Sequence, residues 1–182
     1  CVDSIINVTV AKVKVNRVCQ KWTYYYGEGI RAMSSIRSVD EHRDGAPTLI
    51  RCAVVTLSDT RTLETDTSGL EIIKLLQQNQ YLCAERKLIP DDPEQLGPLL
   101  VSLARQSNID AILLTGGTGI SPRDQTYECI LGQLDRVIPG FGELFRMLSY
   151  DEIGSASLLS RAIGGLIGTT VVLSMPGSRG AV

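Results

Sequence analysis

The chain has 182 residues, 43% hydrophobic and 21% charged, which is enough for one compact domain with a real core. Its formal net charge of −2 argues against a general nucleic-acid binder, which needs a basic surface to displace counterions. No apolar run approaches the ~20 residues that carry a helix across a bilayer, so no membrane partner is expected.

Residues 1–46 are expected to lie outside the core, as an N-terminal extension that is flexible or non-native in part. Val8, Val10, Val13 and Val15 alternate with polar residues, which suits either a short strand or a disordered basic arm. The beginning lacks the basic-then-apolar order of a secretory signal. Met33 opens "MSSIRSVDEHRDGAP", which reads as an ordinary polar start; residues 1–32 are therefore read as an upstream extension, a tag or a translation artefact. "RDGAP" is a turn-rich linker.

The pattern changes at Leu49. "LIRCAVVTL" is short, apolar and rich in β-branched residues, as a buried strand is. A helix is predicted over "SGLEIIKLLQQNQY", with Ser68 and Glu71 as a capping box and Leu70, Ile73 and Leu76 on its inner face. "LCAERKLI" is a second strand. In "PDDPEQLGPLLVSLARQ", Leu96, Leu99, Leu100 and Leu103 recur at the helical period; Asp92 is placed to cap, Pro93 suits the first turn, and Pro98 should kink the helix. "DAILLT" is a third strand. Tyr127, Ile130, Leu131 and Leu134 mark the next helix, and Phe141, Leu144, Phe145 and Leu148 the one after; both stripes read as core. "TTVVLSM" is a fourth strand, soon followed by the end at Val182, so a final helix is expected to be missing.

Strands alternating with helices imply right-handed crossovers and a mainly parallel sheet covered on both faces, an α/β/α sandwich. In such a sheet ligands bind beyond the carboxyl ends of the strands. Four loops should open there: "SDTRTLETDTSG", "PDDP", "GGTGISPRD" and "PGSRG". The third is a strand-to-helix turn whose glycines let successive N–H groups face one hollow and bind anionic oxygen. It lacks both GxxxxGK[ST] and the last glycine of GxGxxG, so it is neither a P-loop nor a dinucleotide fingerprint.

Three acids border the same rim. Asp91 precedes the expected cap and has no capping duty, leaving it free for Mg²⁺, which prefers carboxylate, water and phosphate oxygens. Asp59 could act likewise or close an Asx turn. Asp124 has two readings: a metal ligand, or the third helical position of a helix capped by Ser121 with Pro122 first. Arg123 is either an added positive charge or a solvated side chain. Carboxylates, a phosphate nest and no nucleophile–base pair point to phosphoryl or nucleotidyl transfer, which needs alignment and metal charge more than acid–base help.

The five cysteines, Cys1, Cys19, Cys52, Cys83 and Cys129, form no CxxC pair, and His42 is the one histidine. A structural zinc site, a disulfide framework or a histidine-centred triad is not expected, and free thiols suit a reducing cytoplasm.

"TGGTGISPRDQT", "IPDD", "GFGELFRMLSYDEIG" with "SRAIGG", and "MPGS" occur in one order over residues 47–182, and together they resemble the MogA/MoaB family, also found as the G domain of gephyrin. "FRMLSYDEIG" and "MPGS" look closer to the MoaB branch. The resemblance implies a molybdopterin-binding α/β domain, assembled as a homotrimer or homohexamer, that transfers AMP from Mg-ATP to molybdopterin and releases pyrophosphate. It implies Asp91 and Asp124 as the essential acids holding Mg²⁺, and Gly116, Gly117, Thr118 and Gly119 as the molybdopterin loop. Ser58 and Asp59 match the loop after the first strand, and Pro176, Gly177 and Ser178 the last ligand loop. The alternatives are a scaffold that binds molybdopterin without chemistry, and the related insertase domain, for whose further domains there is no room.

Overall fold

A computed structural model describes residues 49–122 and 124–177; the expectations about residues 1–46, Arg123, Ser178 and the chain end lie outside these. One six-stranded sheet organises the molecule: β1 (Arg51–Leu57), β2 (Leu82–Ile89), β3 (Ala111–Thr115), β4 (Arg136–Val137), β5 (Ile163–Ile167) and β6 (Thr170–Met175). The order is β2-β1-β3-β6-β5-β4. The first four in that order run parallel, while β5 is antiparallel to β6 and β4 to β5.

The central strands are apolar on both sides because both sides are covered. Cys52, Val54, Leu113, Val171 and Leu173 face Ile72 and Leu76 of α1 (Thr67–Gln78) and Phe141 and Phe145 of α4 (Pro139–Ile153). Ala53, Val55, Ile112, Leu114 and Val172 face Leu96, Leu100 and Leu103 of α2 (Pro93–Ala104) and Ile130 of α3 (Thr126–Gln133). The result is the α/β/α sandwich expected from the alternating pattern.

Several local expectations need correction. The cap of α1 is Asp66, whose carboxylate accepts from Gly69 N at 2.9 Å. Ser68 is buried, its hydroxyl committed to Gly177 O, and Glu71 pairs with Lys74 instead. The inner face is therefore Gly69, Ile72 and Leu76, and Leu70 is exposed. Leu131 and Leu144 are exposed too, because each helix buries a narrower stripe than its apolar residues suggest. Pro98 lies inside an uninterrupted α2; it and Glu94 are exposed, so water can reach the carbonyl that the proline leaves unpaired.

The antiparallel edge formed by β5 and β4 has no counterpart in the sequence pattern. In β5 the sequence "IGGLI" puts glycines where a strand signal wants β-branched residues. Close packing requires them: a Cβ on Gly164 would stand 2.8 Å from Phe141 Cγ, and one on Gly165 2.4 Å from Arg136 O. The edge returns the chain from α4 to the sheet and sets β6 beside β3, where its final loop meets the other three.

Candidate functional site

Parallel β1, β2, β3 and β6 release their loops on one rim. Gly116 leaves β3 at φ +107 and Gly117 follows at φ +64, both in the region that favours glycine. A Cβ on Gly116 would lie 2.2 Å from Leu57 O, so the glycine loop presses against the end of β1. Gly116 N donates to Met175 O at 3.1 Å, and Gly177 sits against Gly116 on the other side. Thr115 Oγ1 donates to Pro176 O at 3.2 Å. Thr118 is buried, while Gly119 and Ile120 carry the loop outward.

Asp92 caps α2 through Glu94 N at 3.0 Å, which leaves Asp91 free of that duty, as its position implied. Asp91 Oδ1 accepts instead from Thr126 Oγ1 at 2.5 Å, and Asp91 N donates to Asp59 Oδ1 at 3.1 Å. Ser58 closes its turn by accepting from Thr60 N and Arg61 N at 3.3 and 3.2 Å. Asp124 is not inside a helix. The helix begins at Thr126 with no side-chain cap bond, so the cap reading of Ser121, Pro122 and Asp124 is corrected. Asp124 closes a tight turn: its amide donates to Ser121 O at 2.8 Å and its Oδ2 accepts from Ser121 N at 3.0 Å.

The two acids belong to one place. A Cβ on Gly117 would stand 2.7 Å from Asp91 Oδ1, and one on Gly119 2.3 Å from Asp124 Oδ2. Residues two apart have Cα atoms at most about 7 Å apart, so both carboxylates lie against one short stretch of loop. Among the described residues no group of three or more His, Cys, Asp or Glu is placed to hold a metal ion. Mg²⁺ does not need one, since it commonly takes one or two carboxylates with water and substrate phosphates, so Asp91 and Asp124 fit it chemically.

The first loop is anchored below by Asp66. Its carboxylate is fully buried, accepts from Thr56 Oγ1 at 2.8 Å and pairs with Arg86 at 3.0 Å. Burial alone would raise its pKa; hydrogen bonds from Gly69, Thr56 and Arg86 outweigh that and hold it below the usual value. Arg61 and Ser68 then reach Gly177 O at 3.3 and 2.9 Å, tying the first loop to the last. Burial pushes the Cys83 and Cys129 thiols up, which leaves them poor nucleophiles. A groove of about 1240 Å³ between α2 and α3, lined by Gly97, Val101 and Cys129 among others, lies on the flank and holds none of the rim acids.

Residues 53–182 match the family model described as "Probable molybdopterin binding domain". Molybdenum cofactor biosynthesis protein B of Halalkalibacterium halodurans is 49% identical over 146 residues, 80% of this chain and 86% of that protein. The chain belongs to the MogA/MoaB family. Within it the chain is nearer to MoaB: the protein of the same name from Bacillus subtilis is 47% identical over 146 residues, again 80% of this chain and 86% of that one. A crystal structure of Molybdenum cofactor biosynthesis protein B aligns with a TM-score of 0.72 at 49% identity, covering 75% of this chain and 85% of the other. The tungsten cofactor synthesizing protein MoaB from Pyrococcus furiosus aligns at 0.66 and 38% identity, covering 75% and 87%.

The hydrogen bonds of the rim bring in residues to which the sequence assigned no part in the site. Thr126, Arg61 and Ser68 tie the rim loops to one another, yet none has a composition signal of its own. Only "DTSG" hinted at Ser68, and there the likeness to a capping box misled.

Proposed function

We propose that the chain works in molybdenum cofactor biosynthesis, moving AMP from Mg-ATP to molybdopterin. A terminal phosphate oxygen of molybdopterin bonds to the α-phosphorus of ATP, the bond from that phosphorus to the bridging oxygen breaks, and pyrophosphate leaves with the electron pair. The observation that carries this reading is the packing of Asp91 and Asp124 against one glycine loop. Names of the relatives support the pathway, and the rim geometry supports the chemistry.

Each residue has a task in this reading. Backbone N–H groups of Gly117, Thr118 and Gly119 cradle the pterin phosphate, and Gly116, whose own N–H is held by Met175 O, sets the turn that presents them. Asp91, oriented by Thr126, and Asp124 would hold Mg²⁺, which when bound offsets charge on the phosphate oxygens. Ser58 and Asp59 border the pterin side; Pro176, Gly177 and Ser178 form the nucleotide loop. With reactants aligned, the transfer needs no protein nucleophile. The test is formation of AMP-molybdopterin from ATP, Mg²⁺ and molybdopterin. Full activity in Asp124→Ala would refute the role given to that acid.

A homotrimer or homohexamer in the cytoplasm belongs to the same proposal. Met147, Tyr150, Leu158 and Leu159 are 62%, 59%, 74% and 58% exposed on α4 and the 3-10 turn after it, an apolar surface that a second copy would cover. A stable monomer in light scattering counts against assembly. The free thiols of Cys83 and Cys129 suit a reducing compartment.

One observation favours a second reading, molybdopterin binding without chemistry. Asp91 Oδ1 and Asp124 Oδ2 are already engaged by Thr126 and Ser121. Calorimetry showing tight pterin binding by a chain with no turnover would decide for it.

A further inference from the structure

Arg161 belongs to none of the rim loops. It lies between the 3-10 turn Gly154–Leu159 and β5, and its side chain is 23% exposed. Its guanidinium nevertheless reaches the segment that carries Asp124. One terminal nitrogen pairs with Glu128 Oε1 at 2.5 Å, and the other donates to the backbone oxygen of Asp124. The guanidinium carbon stands 5.4 Å from the centre of the Tyr127 ring. Tyr127 and Glu128 lie in the first turn of α3, so one side chain joins the end of the loop to the start of the helix.

This tie matters because the usual ones are missing. Gln125, at the cap position of α3, makes no side-chain cap bond, and the Asp124 carboxylate is turned onto Ser121 N rather than the helix. The turn from Ser121 to Asp124 is closed on itself. Arg161 fastens it to a different part of the chain, 37 residues away. The guanidinium suits this task, since its planar fork can meet a carboxylate and a carbonyl at once, whereas an ammonium is a point donor on a flexible stem. Nε is buried with no partner, so the contacts of the two terminal nitrogens and the ring offset that cost.

We infer that Arg161 is a positioning residue, fixing the backbone of Asp124 from outside the site and so the direction in which its carboxylate faces. The inference rests on the role proposed for Asp124. It differs from a packing role, although a cavity of about 490 Å³ adjoins Tyr127, Glu128 and Arg161 and a shortened side chain would enlarge it. Arg161→Met keeps the stem and its packing without the donors. Arg161→Lys keeps the charge without the fork.

The decisive measurement is amide hydrogen exchange on the full chain, comparing Ser121 and Asp124 with Val54 and Leu113 in the core. In Arg161→Met, exchange at Ser121 and Asp124 rises by about tenfold or more while the core amides keep their rates; Arg161→Lys falls between. Unchanged loop exchange in either folded variant overturns the inference. An equal rise at Val54 and Leu113 also overturns it, because Arg161 would then support the whole fold. These outcomes hold whether or not the protein makes AMP-molybdopterin, so an inactive wild type would sink the proposed reaction without deciding this point. With an active wild type, Arg161→Met lowers kcat by about tenfold to a hundredfold with KM for molybdopterin unchanged, and Arg161→Lys recovers part of it. Full kcat in Arg161→Met would end the positioning role.

Discussion

Thr126 Oγ1 donates to Asp91 Oδ1 at 2.5 Å, joining the loop after β2 to the first residue of α3. Thr126 is buried, whereas Asp91 is half-exposed, so the rigid partner directs the freer one. A hydrogen bond to a charged acceptor also contributes more than a neutral one.

Thr126→Val tests that direction. It keeps the branched shape and removes the hydroxyl. The expected loss of stability is about 1–2 kcal/mol, since water can reach Asp91 in place of the hydroxyl. The expected loss of adenylyl transfer is about tenfold or more, because a misdirected carboxylate no longer meets the reactants. Paired urea unfolding and steady-state assays check both. Wild-type activity in Thr126→Val would show that Asp91 needs no orienting partner.

Two glycines separate function from stability. A Cβ on Gly119 would stand 2.3 Å from Asp124 Oδ2, so Gly119→Ala must move the carboxylate; Gly119 is exposed, and little stability is at stake. Gly132, near the end of α3, has nothing within 4 Å of its added Cβ. Gly132→Ala should raise stability by about 0.5–1 kcal/mol and leave activity unchanged. Gly119→Ala should lower activity about tenfold or more at nearly constant melting temperature. Thermal melts beside the AMP-molybdopterin assay distinguish the two, and an active Gly119→Ala would remove Asp124 from the site.

The central parallel strands were legible because two-sided burial writes itself as an unbroken apolar run, as in "CAVVTL" and "AILLT". The rim followed, since parallel strands place their loops together whatever the details. Strand β5 was not legible, because its glycines answer to Phe141 and Arg136, far away in sequence. The cap of α1 was misread for a related reason: Ser68 looks like a cap locally, and only its distant partner Gly177 shows otherwise. At the site, the acids stood out by type and position, whereas Thr126 and Arg161 act through contacts 35 and 37 residues away and look ordinary in their own surroundings.

Asp66 gives a pH-dependent prediction. Its buried carboxylate is held below the usual carboxyl range: burial opposes ionisation, and the bonds from Gly69 N, Thr56 Oγ1 and Arg86 more than offset it. A carboxyl whose folded pKa is depressed stabilises the fold above its unfolded value, near 4, and that contribution is lost as pH falls through the folded value. Asp66→Asn cannot hold Arg86 as an ion pair and leaves the guanidinium partly buried without its counter-charge. The expected cost at pH 7 is about 3 kcal/mol. Below about pH 4 the carboxyl of the unfolded wild-type chain takes up a proton while the folded one is still ionised, so the gap between wild type and variant begins to narrow there. Urea unfolding at pH 7, 5 and 3.5 measures the gap directly. A gap as wide at pH 3.5 as at pH 7 would show that Asp66 acts through its shape and hydrogen bonds, with no contribution from its charge.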